Sequence, residues 1–154
     1  MGCGTGTNVL TMVKAGWQVV GIDLAWLSVL QARAKLQRKG FGGRVFSGDV
    51  AGKPDVQPPF DLILDIGCYH SLSPTERENY RENVKAWLSS RATLLMYAHR
   101  RTSTENTHGI TQEDLDAVES FLTLQWRDDG DEVRPDGSGG FPATWVRFDR
   151  ESDG

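Results

Sequence analysis

Four short stretches carry the residues best suited to chemistry. The first is Gly2-Cys3-Gly4-Thr5-Gly6, a G-x-G-x-G turn. Glycine lets a backbone turn tightly and approach a ligand closely. A helix that follows aims its free N–H groups at whatever lies in the turn. Such turns are common, and this one is not the G-x-G-x-x-G dinucleotide fingerprint, because Thr7 stands where the third glycine would be. The second is Asp23, which ends the next β-branched run. A carboxylate at a strand end beside a glycine turn can accept both hydroxyls of a ribose; the same residue could instead cap the next helix. The third is Gly48-Asp49-Val50, where an Asp side chain and an adjacent N–H match the donor and acceptor of an adenine edge, unless it is a plain turn. The fourth is Asp65-Ile66-Gly67-Cys68-Tyr69-His70, which follows an apolar strand at the end where open α/β sheets bind ligands.

These stretches need elements to hold them. Val9, Leu10, Met12 and Val13 recur at helical spacing and predict a helix over 9–15, ended by Gly16. Residues 17–23 read as a buried strand, 28–38 as a helix closed by Gly40, and 44–49 as a third extended piece. Three prolines make 52–59 a loop. Residues 60–65 are the clearest buried strand. Ser73-Pro74-Thr75-Glu76 is a capping box with proline at the first helical position, opening a helix to about residue 88. A strand over 92–98 leads into a polar loop over 100–109, and Thr111 to Asp114 open another helix by the same capping logic. Residues 121–126 and 143–148 are strands with only an acidic, Gly-rich link between them, hence an antiparallel pair. The expectation is an α/β fold with a mostly parallel sheet, helices on both faces and a late antiparallel pair.

Composition narrows the class. The chain has 154 residues, 17 Lys and Arg against 21 Asp and Glu, and a net charge of −4. That length predicts a single domain over 1–154. No apolar run reaches membrane-spanning length, and no signal peptide is expected. The mild acidity argues against nucleic acid as a partner; the basic cluster of Arg33, Lys35, Arg38, Lys39 and Arg44 reads as a solvated face. Two distant cysteines, Cys3 and Cys68, predict a reducing, cytoplasmic setting with neither disulfide framework nor metal site.

Taken in order, Gly2 to Gly6, Val20-Gly21-Ile22-Asp23-Leu24, Gly48-Asp49-Val50 and Phe60 to Asp65 resemble the motifs of class I S-adenosylmethionine-dependent methyltransferases, over nearly the whole chain. Asn8 and the segment Gly67-Cys68-Tyr69-His70-Ser71-Leu72 are similar to the small-molecule branch, which includes thiopurine, tellurite and thiol methyltransferases. The resemblance implies a Rossmann-like fold and S-adenosylmethionine as cofactor, with S-adenosylhomocysteine as its product. Gly2, Cys3, Gly4 and Gly6 would pass under the amino-acid part, Asp23 would hold the ribose and Leu24 would lie against the adenine. Asp49 and Val50 would address the adenine edge, and Ile66 and Gly67 would line the methionine end. In the family the glycine turn follows a central strand ending in an acid; here Met1 directly precedes Gly2. Three explanations stay open: a native start further upstream, which we favour; a sheet that closes without that strand; or a second chain, as in a homodimer, that supplies the pairing.

The implied activity is methyl transfer to a small-molecule nucleophile: a thiol, another heteroatom or an oxyanion. His70 is the candidate general base and Tyr69 a candidate pocket wall. The plainer alternatives are a histidine bonded within its loop and a packed core tyrosine. His99 and His108 flank the polar loop and read as solvated. Trp17, Trp87, Trp126 and Trp145 read as core, while Trp26 could flank the adenine. The competing functions are a binding module without turnover and a nicotinamide-dependent oxidoreductase; Thr7 counts against the latter.

Overall fold

The glycine turn runs directly into α1 (Thr7–Lys14), with Gly6 as its N-cap at φ 79°. The computed structural model describes residues 1–103, 108–133, 136–137 and 140–151. The middle of the expected polar loop, 104–107, lies outside them, as does part of the acidic link. The chain divides into two compact units, Met1–Gln57 and Pro58–Gly154.

In the first unit α1 is followed by β1 (Val20–Asp23), α2 (Trp26–Arg38) and β2 (Arg44–Ser47). β1 and β2 pair in parallel, from Val20 opposite Arg44 to Asp23 opposite Ser47. Parallel neighbours need a crossover, and α2 supplies it. Val9, Val29, Ala32, Leu36 and Val45 form the core, with Cys3, Leu10, Val13, Val19 and Phe41 packed against it. A Cβ on Gly6 would lie 2.7 Å from the Ala32 Cβ, so the turn rests on α2 with no room for a side chain. The carbonyls of Val19 and Asp23 accept from Arg44 and Gly48 on the β2 side, while that of Ile22 accepts from the Cys3 N–H at 2.9 Å. The glycine turn is thereby bonded to the other edge of β1.

In the second unit β3 (Phe60–Ile66) leads through a short 3-10 turn (Tyr69–Ser71) to α3 (Pro74–Trp87), β4 (Leu88–His99), α4 (Gln112–Glu119), β5 (Thr123–Val133) and β6 (Gly140–Asp149). The sheet order is β3-β4-β6-β5. β3 and β4 are parallel, and both ladders of β6 are antiparallel. The parallel ladders and the late antiparallel pair follow the sequence expectation. Ala92, Leu94, Met96 and Ala98 on β4 and Val146 and Phe148 on β6 bury one face completely. Both expected capping boxes form, at Ser73 with Glu76 and at Thr111 with Asp114.

Several expectations need correction. The strand expected over 17–23 begins only at Val20, because the Trp17 N–H turns back to Met12 O at the end of α1. Trp17 is 48% exposed, and so is not core. Trp126, also expected in the core, is 43% exposed on β5, where every residue is exposed. β4 starts at Leu88, with no loop after α3. Among the described residues, no helix is long and apolar enough to cross a membrane.

Candidate active site

Asp23 ties the first unit's turn together. Its Oδ2 accepts the Gly4 N–H at 2.7 Å and its Oδ1 accepts the Ala25 N–H at 2.9 Å. It therefore both steadies the entry to α2 and anchors the glycine turn. Each carboxylate oxygen keeps a second lone pair for a ligand hydroxyl. Gly4 has φ 50°, and a Cβ built on it meets nothing within 4 Å. The turn thus leaves open space where it needs glycine, the form of a cradle for a ligand that the backbone touches. Lys35 Nζ donates to Thr5 Oγ1 and Thr7 Oγ1, so one member of the expected solvated cluster braces the turn. Burial, and secondly Asp23, push the Cys3 thiol pKa up, consistent with packing rather than reactivity. Leu24 is 75% exposed beside Asp23, and Trp26 is exposed at the start of α2. Asp49 is exposed, with Oδ1 accepting the Ala51 N–H at 2.9 Å; Val50 is buried.

The second unit's site is built on Asp65, which is fully buried at the end of β3. It accepts from the Cys68 N–H at 2.8 Å, from the Tyr69 N–H and from the Tyr80 hydroxyl at 2.6 Å. Burial pushes its pKa up, against the pull of these donors. Replacing Asp65 with Ala strands all of them, and unfolding in urea should show a loss of about 3–5 kcal/mol. The turn that Asp65 holds carries Ile66, which is partly exposed, and Gly67, at φ 86°. Tyr69 is fully buried against Tyr80, and its hydroxyl accepts from Arg81 at 2.7 Å.

His70 is buried, and its Nδ1 accepts the His99 N–H at 3.0 Å. Its ring stacks on that of His99, centroids 4.4 Å apart, and meets His108 edge-on at 4.8 Å. Burial first, then His99 and His108, lower its pKa to about 4. An unfolded histidine titrates near 6.5. The folded value lies below the unfolded one, so this contribution to stability is present above about pH 6.5 and is lost as pH falls toward 4. Asn at position 70 keeps an acceptor for the His99 N–H but cannot titrate. Urea midpoints between pH 6.5 and 4 should therefore fall less steeply in His70→Asn than in the parent.

His99 Nε2 lies 2.7 Å from Glu132 Oε2, and the Tyr97 hydroxyl donates to the same oxygen at 2.5 Å. These two donors hold the Glu132 pKa down, Tyr97 first. Burial and Glu132 push the Tyr97 phenol up to about 12. His108 is exposed, as expected, whereas His99 is only 21% exposed and bonded to Glu132, a residue the sequence does not single out. The available signal was that His99 ends a strand at the same edge as the Asp65 turn. Arg77, 2% exposed, binds Asp114 at 2.6 Å and donates to the carbonyls of His70 and Gly109, both at 3.0 Å. It ties the 3-10 turn to the start of α4.

Residues 1–91 match the family model for a methyltransferase domain. An uncharacterized methyltransferase of Schizosaccharomyces pombe is 24% identical over 102 residues, covering 66% of this chain and 70% of its own. Among solved structures, a SAM-dependent methyltransferase from Methanosarcina mazei aligns with TM-score 0.83 at 15% identity, over 99% of this chain and 91% of its own. The N-methyltransferase NodS from Bradyrhizobium japonicum, in complex with S-adenosylhomocysteine, aligns with TM-score 0.76 at 18% identity, over 97% of this chain and 74% of its own. These likenesses show the α/β Rossmann-like methyltransferase fold. With its glycine turn, strand-end carboxylate and motif order inside the matched residues, the chain belongs to the methyltransferase domain family.

Proposed function

We propose that the protein transfers a methyl group from S-adenosylmethionine to a small-molecule nucleophile, working as one methyltransferase-like domain in a reducing, cytoplasmic setting. The observation that carries the cofactor reading is the Gly4 cradle lashed to Asp23. Bound S-adenosylmethionine supplies an electrophilic methyl group; the protein's part is to hold, orient and dry the reactants. Asp23 would accept the ribose hydroxyls, with Leu24 against the adenine. Asp49 keeps Oδ2 for the adenine edge beside Val50. Gly2, Cys3, Gly4 and Gly6 would lie under the amino-acid part. Ile66 and Gly67 are assigned to the methionine end by motif order alone. Tyr69, sealed in its hydrogen bond to Arg81, supports the turn from behind.

Calorimetry tests the reading. S-adenosylmethionine and S-adenosylhomocysteine should bind, and NAD should not. Asp23→Ala should weaken both by about 1–3 kcal/mol, the scale of hydrogen bonds to a charged group. An unchanged dissociation constant would remove Asp23 from the site. Binding without turnover is the second reading. Turnover on thiols, phenols and oxyanions separates the two.

A further inference from the structure

We propose that His99, oriented by Glu132, is the residue that takes a proton from the methyl acceptor, and that the acceptor is accordingly a protic thiol or phenol. This rests on the methyl-transfer reading and assigns a base other than His70. An ionised carboxylate can only accept, so the 2.7 Å contact means that His99 Nε2 carries a hydrogen. The neutral ring then keeps its lone pair on Nδ1. Tyr97 donates to the same Glu132 oxygen and fixes that carboxylate in place. The register puts Ala143 of β6, the strand between the two partners, opposite His99, and Gly130 of β5 opposite Ala143, so the row from His99 to β5 holds two small residues. The His99 side chain is 21% exposed, so the base is held yet reachable.

His70 has the opposite chemistry. Its Nδ1 lone pair is engaged by the His99 N–H, so the neutral ring carries its proton on Nε2 and is a donor. Two neighbouring imidazoles are thus poised as proton acceptor and hydrogen-bond donor. The cluster also resembles a metal site, since one ligand atom each of His70, His99 and His108 lies within 4.8 Å of the others. The ring geometry opposes that reading. His70 and His99 are stacked 10° from parallel, so their in-plane lone pairs do not converge on one ion. The only lone pair of neutral His70 is already engaged.

In the step inferred, Nδ1 of His99 takes the S–H or O–H proton. The acceptor's sulfur or oxygen forms the new bond to the methyl carbon as the old carbon–sulfur bond breaks. The imidazolium then returns its proton to water, and methylated acceptor and S-adenosylhomocysteine leave.

Three readouts on the whole chain test this. Long-range 1H–15N correlation spectra at neutral pH should show His99 and His70 both protonated on Nε2; protonation of His99 on Nδ1 would overturn the assignment. Zinc added in calorimetry should give no stoichiometric binding; tight one-to-one binding lost in His70→Asn would establish a metal centre instead. In kinetics, His99→Gln keeps a donor for Glu132 but has no base. It should lower kcat on 2-mercaptoethanol and phenol by about 10²–10⁴-fold, yet change kcat on pentafluorothiophenol, already a thiolate, by less than about threefold. S-adenosylmethionine binding should be unaffected. Equal losses on all three acceptors, or no loss on any, would sink the role of His99. A parent protein that binds the cofactor but methylates neither thiol nor phenol would sink the acceptor class and leave the cofactor reading standing. A parent that binds no cofactor would sink both.

Discussion

Replacing Asp114 with Asn should destabilise the protein by about 3–5 kcal/mol, the range for removing one partner of a buried ion pair. Arg77 is 2% exposed and cannot lose its proton, so the variant leaves a cation in the core facing only dipoles. Asp114 also accepts the Thr111 N–H at 2.9 Å, so the capping of α4 weakens with it. A urea midpoint that falls while the slope holds would establish the effect as stability. The double variant Arg77→Met with Asp114→Leu removes both charges and should recover part of the loss. A double variant as unstable as the sum of the two single ones would show that the pair is not the cause. The functional cost should be larger than the structural one in the double variant, because the His70 and Gly109 carbonyls lose their shared donor.

Gly4→Val should weaken S-adenosylmethionine binding by more than about 100-fold while the far-UV spectrum stays that of the parent, because the residue turns left-handed and, in the function proposed above, its backbone would approach the ligand. A valine at φ 50° is strained, and its side chain would occupy space that no protein atom fills. Gly6→Ala differs in what it costs the fold: its new methyl would overlap Ala32 at 2.7 Å, so it should lower the melting temperature as well as weaken binding. Thermal melting should therefore separate the two variants. Undiminished binding by Gly4→Val would make the turn a purely structural feature.

The sequence was most legible where local chemistry and tertiary role agree. Ser73 with Glu76 and Thr111 with Asp114 form the capping boxes their spacing demands. Asp23 reads in the sequence as either a ribose ligand or a helix cap; in the fold one carboxylate oxygen steadies the entry to α2 and the other holds the turn. The illegible parts depend on distant partners. Ser89, Ser90 and Arg91 look like a loop, but they continue β4 because pairing with β3 begins at Leu88 opposite Phe60. The 3-10 turn at Tyr69 is held by Asp65 through the Cys68 and Tyr69 N–H groups, a bonding role that the buried-strand pattern over 60–65 does not announce. Glu132 on β5 meets His99 on β4 across the intervening β6, so no spacing along the chain marks the couple.

β5 lies at the end of its sheet, eleven residues long and exposed throughout. A free strand border of that length invites another copy to add on and begin fibril growth. What stands in the way is its roster of charges, Arg127, Asp128, Asp129, Asp131 and Glu132, interrupted by Gly130. Neutralising those side chains should therefore open the border to strand addition, seen as faster aggregation in solution.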